Sequence, residues 1–385
     1  MLKNLYMGDR GTLVKYVQLA LRRAGHPLVL DGIFGERTCL ALREFLGQET
    51  CGVNGDAWQR IMPYLRGYGM DAAGGQVRYS FPLVSGEVEY SSILTEAVVE
   101  GLSVRYPFVQ TGSIGKSVMG KPIPYLRIGE GEKQVFYNAS FHANESITTP
   151  VLLKFAEEYA YAYAAGTDLY GISAAELFRD YQLYLVPLVN PDGVDLVNGI
   201  LTGGMYYRRA RQIGAAYPAI PFPSGWKANI EGVDLNLQFP AGWENAKEIK
   251  YALGFDSPAP RDYVGSAPLT APESAAVYEF TRAHDFLLIL AYHTQGEVIY
   301  WKYLDYEPAR SYEIARYFGQ VSGYTVEETP SESGYAGYKD WFIQEYNRPG
   351  YTIEVGLGEN PLPMSQFDSI YQVNTGILLG GMTQI

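Results

Sequence analysis

Residues 135–150 read Val135-Phe136-Tyr137-Asn138-Ala139-Ser140-Phe141-His142-Ala143-Asn144-Glu145-Ser146-Ile147-Thr148-Thr149-Pro150. The run Val135 to Ser140 has the apolar content of a buried strand. Thr148-Thr149-Pro150 has the character of a helix start, because the missing N–H of proline costs little in a first turn. His142 and Glu145 are therefore expected on a loop at the carboxyl end of a strand. In open α/β sheets that edge is where ligands gather. The stretch decides for an α/β architecture and asks which other segments arrive at the same edge.

Moving outward, the spacing predicts strands over 109–115 and 122–128, joined by a glycine turn. A helix from Pro150 to Ala165 is expected to stop at Gly166, and Leu183 to Val189 is expected as a strand closed by the turn Asn190-Pro191-Asp192-Gly193. Residues 196–230 form a Gly/Pro/aromatic stretch too long for a plain connection, which marks a functional loop. Thr270-Ala271-Pro272-Glu273 has the form of a capping box opening a helix. Phe286 to Tyr292 is a continuous apolar run, as a strand covered on both faces requires. Tyr351 to Val355 is a further strand, and a last helix starts near Ser365.

The chain holds four histidines. His293 directly follows the 286–292 strand, the same kind of position that His142 occupies after its own strand. Two histidines and Glu145 at one sheet edge match the ligand set of a catalytic zinc, three protein ligands with a fourth position open. The plain alternative is a pair of hydrogen-bonded histidines at strand ends. Glu354 lies within the apolar run Tyr351-Thr352-Ile353-Glu354-Val355, where an unpaired carboxylate is costly. It reads either as the general base beside a metal-activated water or as half of an ion pair inside the sheet.

Together these residues resemble the zinc carboxypeptidases of the carboxypeptidase A type. The resemblance rests on His142-x-x-Glu145, Asn190-Pro191-Asp192-Gly193, Gly232-Val233-Asp234-Leu235-Asn236, His293, and Asp340-Trp341 ahead of Glu354. It covers roughly residues 80 to 385. It implies an α/β fold with a mixed eight-stranded sheet flanked by helices, one Zn2+ per chain on His142, Glu145 and His293, and Glu354 as the catalytic base. It further implies that Asn236 orients the substrate, that Lys227 supplies the oxyanion-polarising charge (Arg208, Arg209 and Arg211 being substitutes), and that Tyr335, rather than Tyr338, is the mobile tyrosine. The family's true carboxypeptidases carry an arginine after the Asp-Leu-Asn segment to clamp the terminal carboxylate. Leu237 stands there and cannot pair with a carboxylate.

Residues 1–66 show three amphipathic helical stretches. Val14, Val17, Gln18 and Leu21 follow a Thr12 cap, Leu42, Phe45 and Leu46 point inward from a second, and Trp58, Ile61, Met62 and Leu65 line a third behind Asp56. Gly8-Asp9-Arg10-Gly11, Val17 to Leu21, and Asp31-Gly32-Ile33-Phe34-Gly35 with Thr38 and Phe45 resemble a peptidoglycan-binding domain of type 1; a structural helical appendage is the alternative. Residues 67–80 are small and read as a flexible linker, and 81–385 as the peptidase domain. On this division, removal of 1–66 is expected to spare cleavage of soluble peptides. A wall-binding module joined to a peptidase without the carboxylate clamp resembles the γ-D-glutamyl-L-diamino acid endopeptidases, which act on peptidoglycan stem peptides. The competing readings are a broader carboxypeptidase, amidase or deacylase on the same fold, and a wall-binding protein without catalysis.

Composition narrows the partners. The 385 residues are 47% hydrophobic and 19% charged, with a net charge of −12. A basic surface for nucleic acid or anionic membrane is not expected. Cys39 and Cys51 are too few for a disulfide framework and read as two buried free thiols. No apolar run reaches the ~18 residues of a membrane span. The start, Met1 to Asp9, lacks the apolar core of a signal peptide. The expectation is a cytoplasmic protein, or a wall-associated one whose leader lies outside this sequence.

Overall fold

The computed structural model describes residues 2–49 and 51–385; Met1, part of the start considered above, and Thr50 lie outside the described residues. Eight strands form one mixed sheet: β1 (Gln110–Lys116), β2 (Pro122–Ile128), β3 (Lys133–Ala139), β4 (Tyr181–Val186), β5 (Phe286–His293), β6 (Val298–Tyr300), β7 (Thr325–Glu327) and β8 (Gly350–Glu354). Across the sheet they run β7-β6-β8-β5-β3-β4-β2-β1. The central strands β8, β5, β3 and β4 are mutually parallel. Their carboxyl ends therefore open on one edge, with His293 the register partner of Glu354.

The sheet is covered on both faces, and the strand period of two decides what goes where. Val135, Tyr137, Ala139, Leu288, Leu290 and Tyr292 join one core. Phe136, Ile289 and Ala291 join the other, with Trp341 and Phe239. The first face carries α4 (Ser92–Arg105), α5 (Thr148–Ala165), α11 (Ser311–Ser322) and α13 (Phe367–Thr383). Against the second lie α10 (Pro272–Arg282) and α12 (Tyr338–Tyr346). Four helices occupy the connections: α6 (Ala174–Asp180), α7 (Pro191–Val197), α8 (Gly204–Ala216) and α9 (Trp243–Ala252). The 196–230 stretch is thus partly helical.

At the amino end, α1 (Thr12–Arg23), α2 (Glu36–Leu46) and α3 (Gly55–Arg66) match the three amphipathic stretches. Their caps differ from the sequence reading. Gly11 and Asn54 precede α1 and α3, while the Thr12 hydroxyl donates to the Asn198 carbonyl at 2.8 Å, a contact to the peptidase half. The Gln18 amide ties the 31–35 turn together through Asp31, Ile33, Thr38 and the Gly32 N–H. Cys39 and Cys51 are not free thiols: the chain returns between α2 and α3 so that their Cα atoms lie 5.4 Å apart, and a disulfide joins them.

Residues 67–80 hold an antiparallel hairpin, Tyr68–Met70 against Gln76–Arg78, where a flexible connection was expected. The core of α1–α3 continues into that of the larger sheet face. The approach of α3 to α4 is so close that a Cβ on Gly101 would lie 2.0 Å from the Arg66 carbonyl oxygen. Only glycine fits there. Among the described residues no helix is long and apolar enough to cross a membrane.

Candidate active site

The sheet edge gathers His142, Glu145, His293 and Glu354 at the carboxyl ends of three strands. After β3 the chain turns through a single 3₁₀ turn, Ala143–Glu145, which places His142 and Glu145 on one side. The Ala143 N–H donates to the Lys227 carbonyl at 2.9 Å, drawing a distant segment alongside. Asn190 fastens the arrangement. Its amide donates to the Phe141 and Ala228 carbonyls at 3.1 and 3.0 Å, and its Oδ1 accepts the Gly193 N–H, capping α7. The expected 190–193 turn is therefore a helix cap at the floor of the site.

His142 Nδ1 lies 3.0 Å from Glu145 Oε1 and 3.1 Å from His293 Nδ1, which is itself 3.1 Å from Glu145 Oε2. All three residues are buried, and their donor atoms lie within 4.8 Å of one another. Asp234 Oδ1 sits 3.1 Å from His142 Nε2. That bond holds a proton on Nε2 and leaves Nδ1 facing Glu145 and His293, the usual support of a metal-ligating histidine. Two imidazole nitrogens facing each other beside one carboxylate make a donor set that a single zinc satisfies. The residues present fit that ion.

Electrostatics follow from the crowding. Burial alone would push His142 down, but Glu145 and Asp234 outweigh it and hold its pKa at about 9. Burial and the neighbouring His142 and Lys227 charges keep His293 low, against the pull of Glu145. Glu145 itself is held well below the carboxylate range, because His142 and Lys227 overcome its burial. Glu354 goes the other way: burial and the nearby Glu145 charge raise it to about 8. Two carboxylates at one edge thus sit on opposite sides of neutrality, as a ligand and a proton carrier require.

Lys227 Nζ lies 3.2 Å from Glu145 Oε1. It lines both cavities that meet at the site, one of about 190 Å3 and one of about 620 Å3. Arg208, Arg209 and Arg211 are exposed on α8, with Arg209 facing Glu231 instead. Asn236 and Leu237 both line the smaller cavity. Asn236 Oδ1 accepts the Tyr338 N–H at 2.9 Å, which leaves its side-chain NH2 for other partners.

The tyrosines depart from the expectation. Tyr335 packs over Gly242 and beside Tyr303, and borders a different pocket. Tyr338 is a core residue bonded to Thr281. The tyrosine that lines both cavities of the site is Tyr300, on the edge strand β6, where no motif marks it. Asp234 and Arg261 also went unassigned. Asp234 had a signal, its place two residues before Asn236. Arg261 had none, because its segment is brought to the site by long-range bonds, the Lys227 and Ala228 N–H to the Pro260 carbonyl and the Asp262 N–H to Asp234.

Comparison with known proteins places the chain in a family. The zinc carboxypeptidase family model matches residues 95–375. Among relatives, γ-D-glutamyl-L-diamino acid endopeptidase 1 of Lysinibacillus sphaericus is 46% identical over 79% of this chain and 75% of its own length. Carboxypeptidase B of Bos taurus is 24% identical over 82% of this chain and 73% of its own. Of solved structures, thrombin activatable fibrinolysis inhibitor superposes with a TM-score of 0.60 at 20% identity, covering 78% of this chain and 75% of that one.

Proposed function

From the premise that this chain belongs to the zinc carboxypeptidase family and is a peptidase of that kind, we propose a specific substrate. It is the amide between the γ-carboxyl of a D-glutamyl residue and the amine of an L-diamino acid, diaminopimelate or lysine, in peptidoglycan stem peptides. The observation that carries this reading is the 46% identity to a relative whose name states that specificity. Leu237 in the cavity wall is consistent with it, since a leucine leaves no clamp at that position for a peptide's terminal carboxylate.

The family's cofactor is one Zn2+, which His142, Glu145 and His293 would hold. When bound, it supplies the Lewis acidity that activates water and polarises the scissile carbonyl. Asp234 keeps His142 in the ligating tautomer. Glu354 takes the proton from the attacking water and returns it to the leaving amine, a role suited to a carboxyl with a pKa of about 8. Lys227 places a positive charge where the carbonyl oxygen becomes anionic. The Asn236 amide orients the substrate backbone. The unit over 1–66, through its 8–11 and 31–35 motifs, docks the enzyme on peptidoglycan.

The test is mass spectrometry of products from L-Ala-γ-D-Glu-diaminopimelate, run beside blocked L-dipeptides, with and without a chelator. Release of L-Ala-D-Glu that stops with chelator is the expected result. Cleavage of the L-dipeptides alone would move the protein to ordinary carboxypeptidase activity.

A further inference from the structure

Leu237 removes one cation from the site, yet the cavity around it remains built for an anion. Its carboxylates other than Glu354 are already committed. Asp234 accepts from His142, from the Asn236 N–H and from the Asp262 N–H. Asp340 is taken by the Gly337 N–H and by Lys339, and Lys339 is itself spent on the Lys302 carbonyl and the Thr329 hydroxyl. Asp262 holds two cations at once, Lys250 at 2.7 Å and Arg261 Nε at 2.5 Å. One carboxylate shared by two cations leaves a positive charge over.

That surplus faces the substrate. Arg261 engages Asp262 through Nε, and its two terminal nitrogens have no hydrogen-bond partner among the described residues. Its side chain is 45% exposed. It borders both cavities, as do Lys227 and Glu354, so it reaches either side of the reacting bond. Its anchor is fixed rather than loose. Asp262 adopts φ +64°, a conformation non-glycine residues rarely hold. Its N–H bonds to Asp234, the residue that orients His142.

We infer that Arg261, positioned by Asp262 and assisted by Lys250, reads a carboxylate of the substrate adjoining the scissile amide, in the role vacated at Leu237. This rests on the γ-D-glutamyl reading, which offers two such groups. One is the α-carboxylate of the glutamyl residue on the acyl side, the other the carboxylate of the diamino acid on the amine side. A guanidinium whose edge between the two terminal nitrogens is free takes either in the same bidentate way.

The experiment compares kcat/KM for three peptides: L-Ala-γ-D-Glu-diaminopimelate, its glutamyl α-amide, and its diaminopimelyl amide at the carboxyl next to the cut bond. The wild type is expected to discriminate against one of the two amides by about 100-fold, since a site built to bond a group rejects its analogue strongly. That amide identifies the carboxylate being read. In Arg261→Leu the ratio should collapse to within several-fold, while Arg261→Lys keeps part of it; thermal melts of both variants show whether the fold is intact. Indifference of the wild type to both amidations overturns the assignment, as does a ratio preserved in Arg261→Leu. If the wild type cleaves none of the three, the γ-D-glutamyl reading fails, and the subsite is decided by calorimetry. Binding of glutarate or free diaminopimelate at least tenfold weaker in Arg261→Leu then supports it, and equal binding of both overturns it.

Discussion

Glu273 offers a measurable link between pH and the floor of the site. It is the first acidic residue of α10, but Ala271 is the N-cap and no side-chain capping bond forms. Its carboxylate instead points inward, accepting from the Val118 N–H at 3.1 Å and the Asn229 amide at 3.2 Å. Asn229 in turn accepts the Glu231 and Val233 N–H groups, bracing the segment between Lys227 and Asp234. Burial, reinforced by Asp192, raises the Glu273 pKa from 4.5 to about 7. Because the folded chain holds this proton more tightly than the unfolded one, the associated stability is fully present below pH 4.5. It is lost as pH rises through 7, and over that span it amounts to about 3 kcal/mol. Glu273→Gln removes the titration but must turn its NH2 toward one of two donors, at a cost of about 1–2 kcal/mol. Asn229 cannot rotate to relieve this without losing its own two bonds. Urea unfolding of both proteins in half-unit steps from pH 5 to 8 reads the balance. The difference should swing by about 2–3 kcal/mol in the variant's favour, from less stable at pH 5 to more stable at pH 8. A difference that stays flat across the range refutes the reasoning.

Two further outcomes are expected. Glu354→Gln should lower kcat by at least about 10³-fold with zinc content unchanged, since only the proton carrier is removed; zinc lost along with activity would assign Glu354 to the ligands instead. Deleting residues 1–66 should lower the melting temperature and the hydrolysis of soluble peptides together, because the core of α1–α3 continues into that of the sheet. A truncated chain with full stability and activity would show the unit to be detachable.

What was legible in the sequence is what a short-range pattern can carry. The apolar runs of β3 and β5, covered on both faces, announce themselves, and a histidine at the end of each marks the catalytic edge. His142 and Glu145 fall on a single turn, and Glu354 stands out as a carboxylate in an apolar strand. Residues that reach the site by folding back do not stand out. Arg261 depends on a carbonyl 33 positions after Lys227 accepting the Lys227 N–H. Tyr300 depends on β6 adding antiparallel to β8. Tyr335 and Tyr338 both precede Asp340-Trp341 closely, and sequence position cannot tell that the Tyr335 ring packs over Gly242.

Residues 1–66 are not set apart from the rest of the chain by a flexible linker, as the sequence suggested. Small residues over 67–80 suggested freedom, and three short amphipathic helices suggested a separate docking unit. The bonds run otherwise. Tyr16 donates to the Glu89 carbonyl at 2.7 Å, and Arg23 bonds the carbonyls of Pro82 and Leu83. Thr12 bonds the Asn198 carbonyl, and the Asn198 amide reaches the Tyr90 carbonyl and, at 3.4 Å, the Ser146 hydroxyl, one residue beyond Glu145. Four residues thus connect the first turn of α1 to a metal-binding loop. Were the unit to dock on peptidoglycan as proposed, wiring of this kind would present the cavity to the polymer in one fixed orientation, which an independent module on a flexible tether would not do.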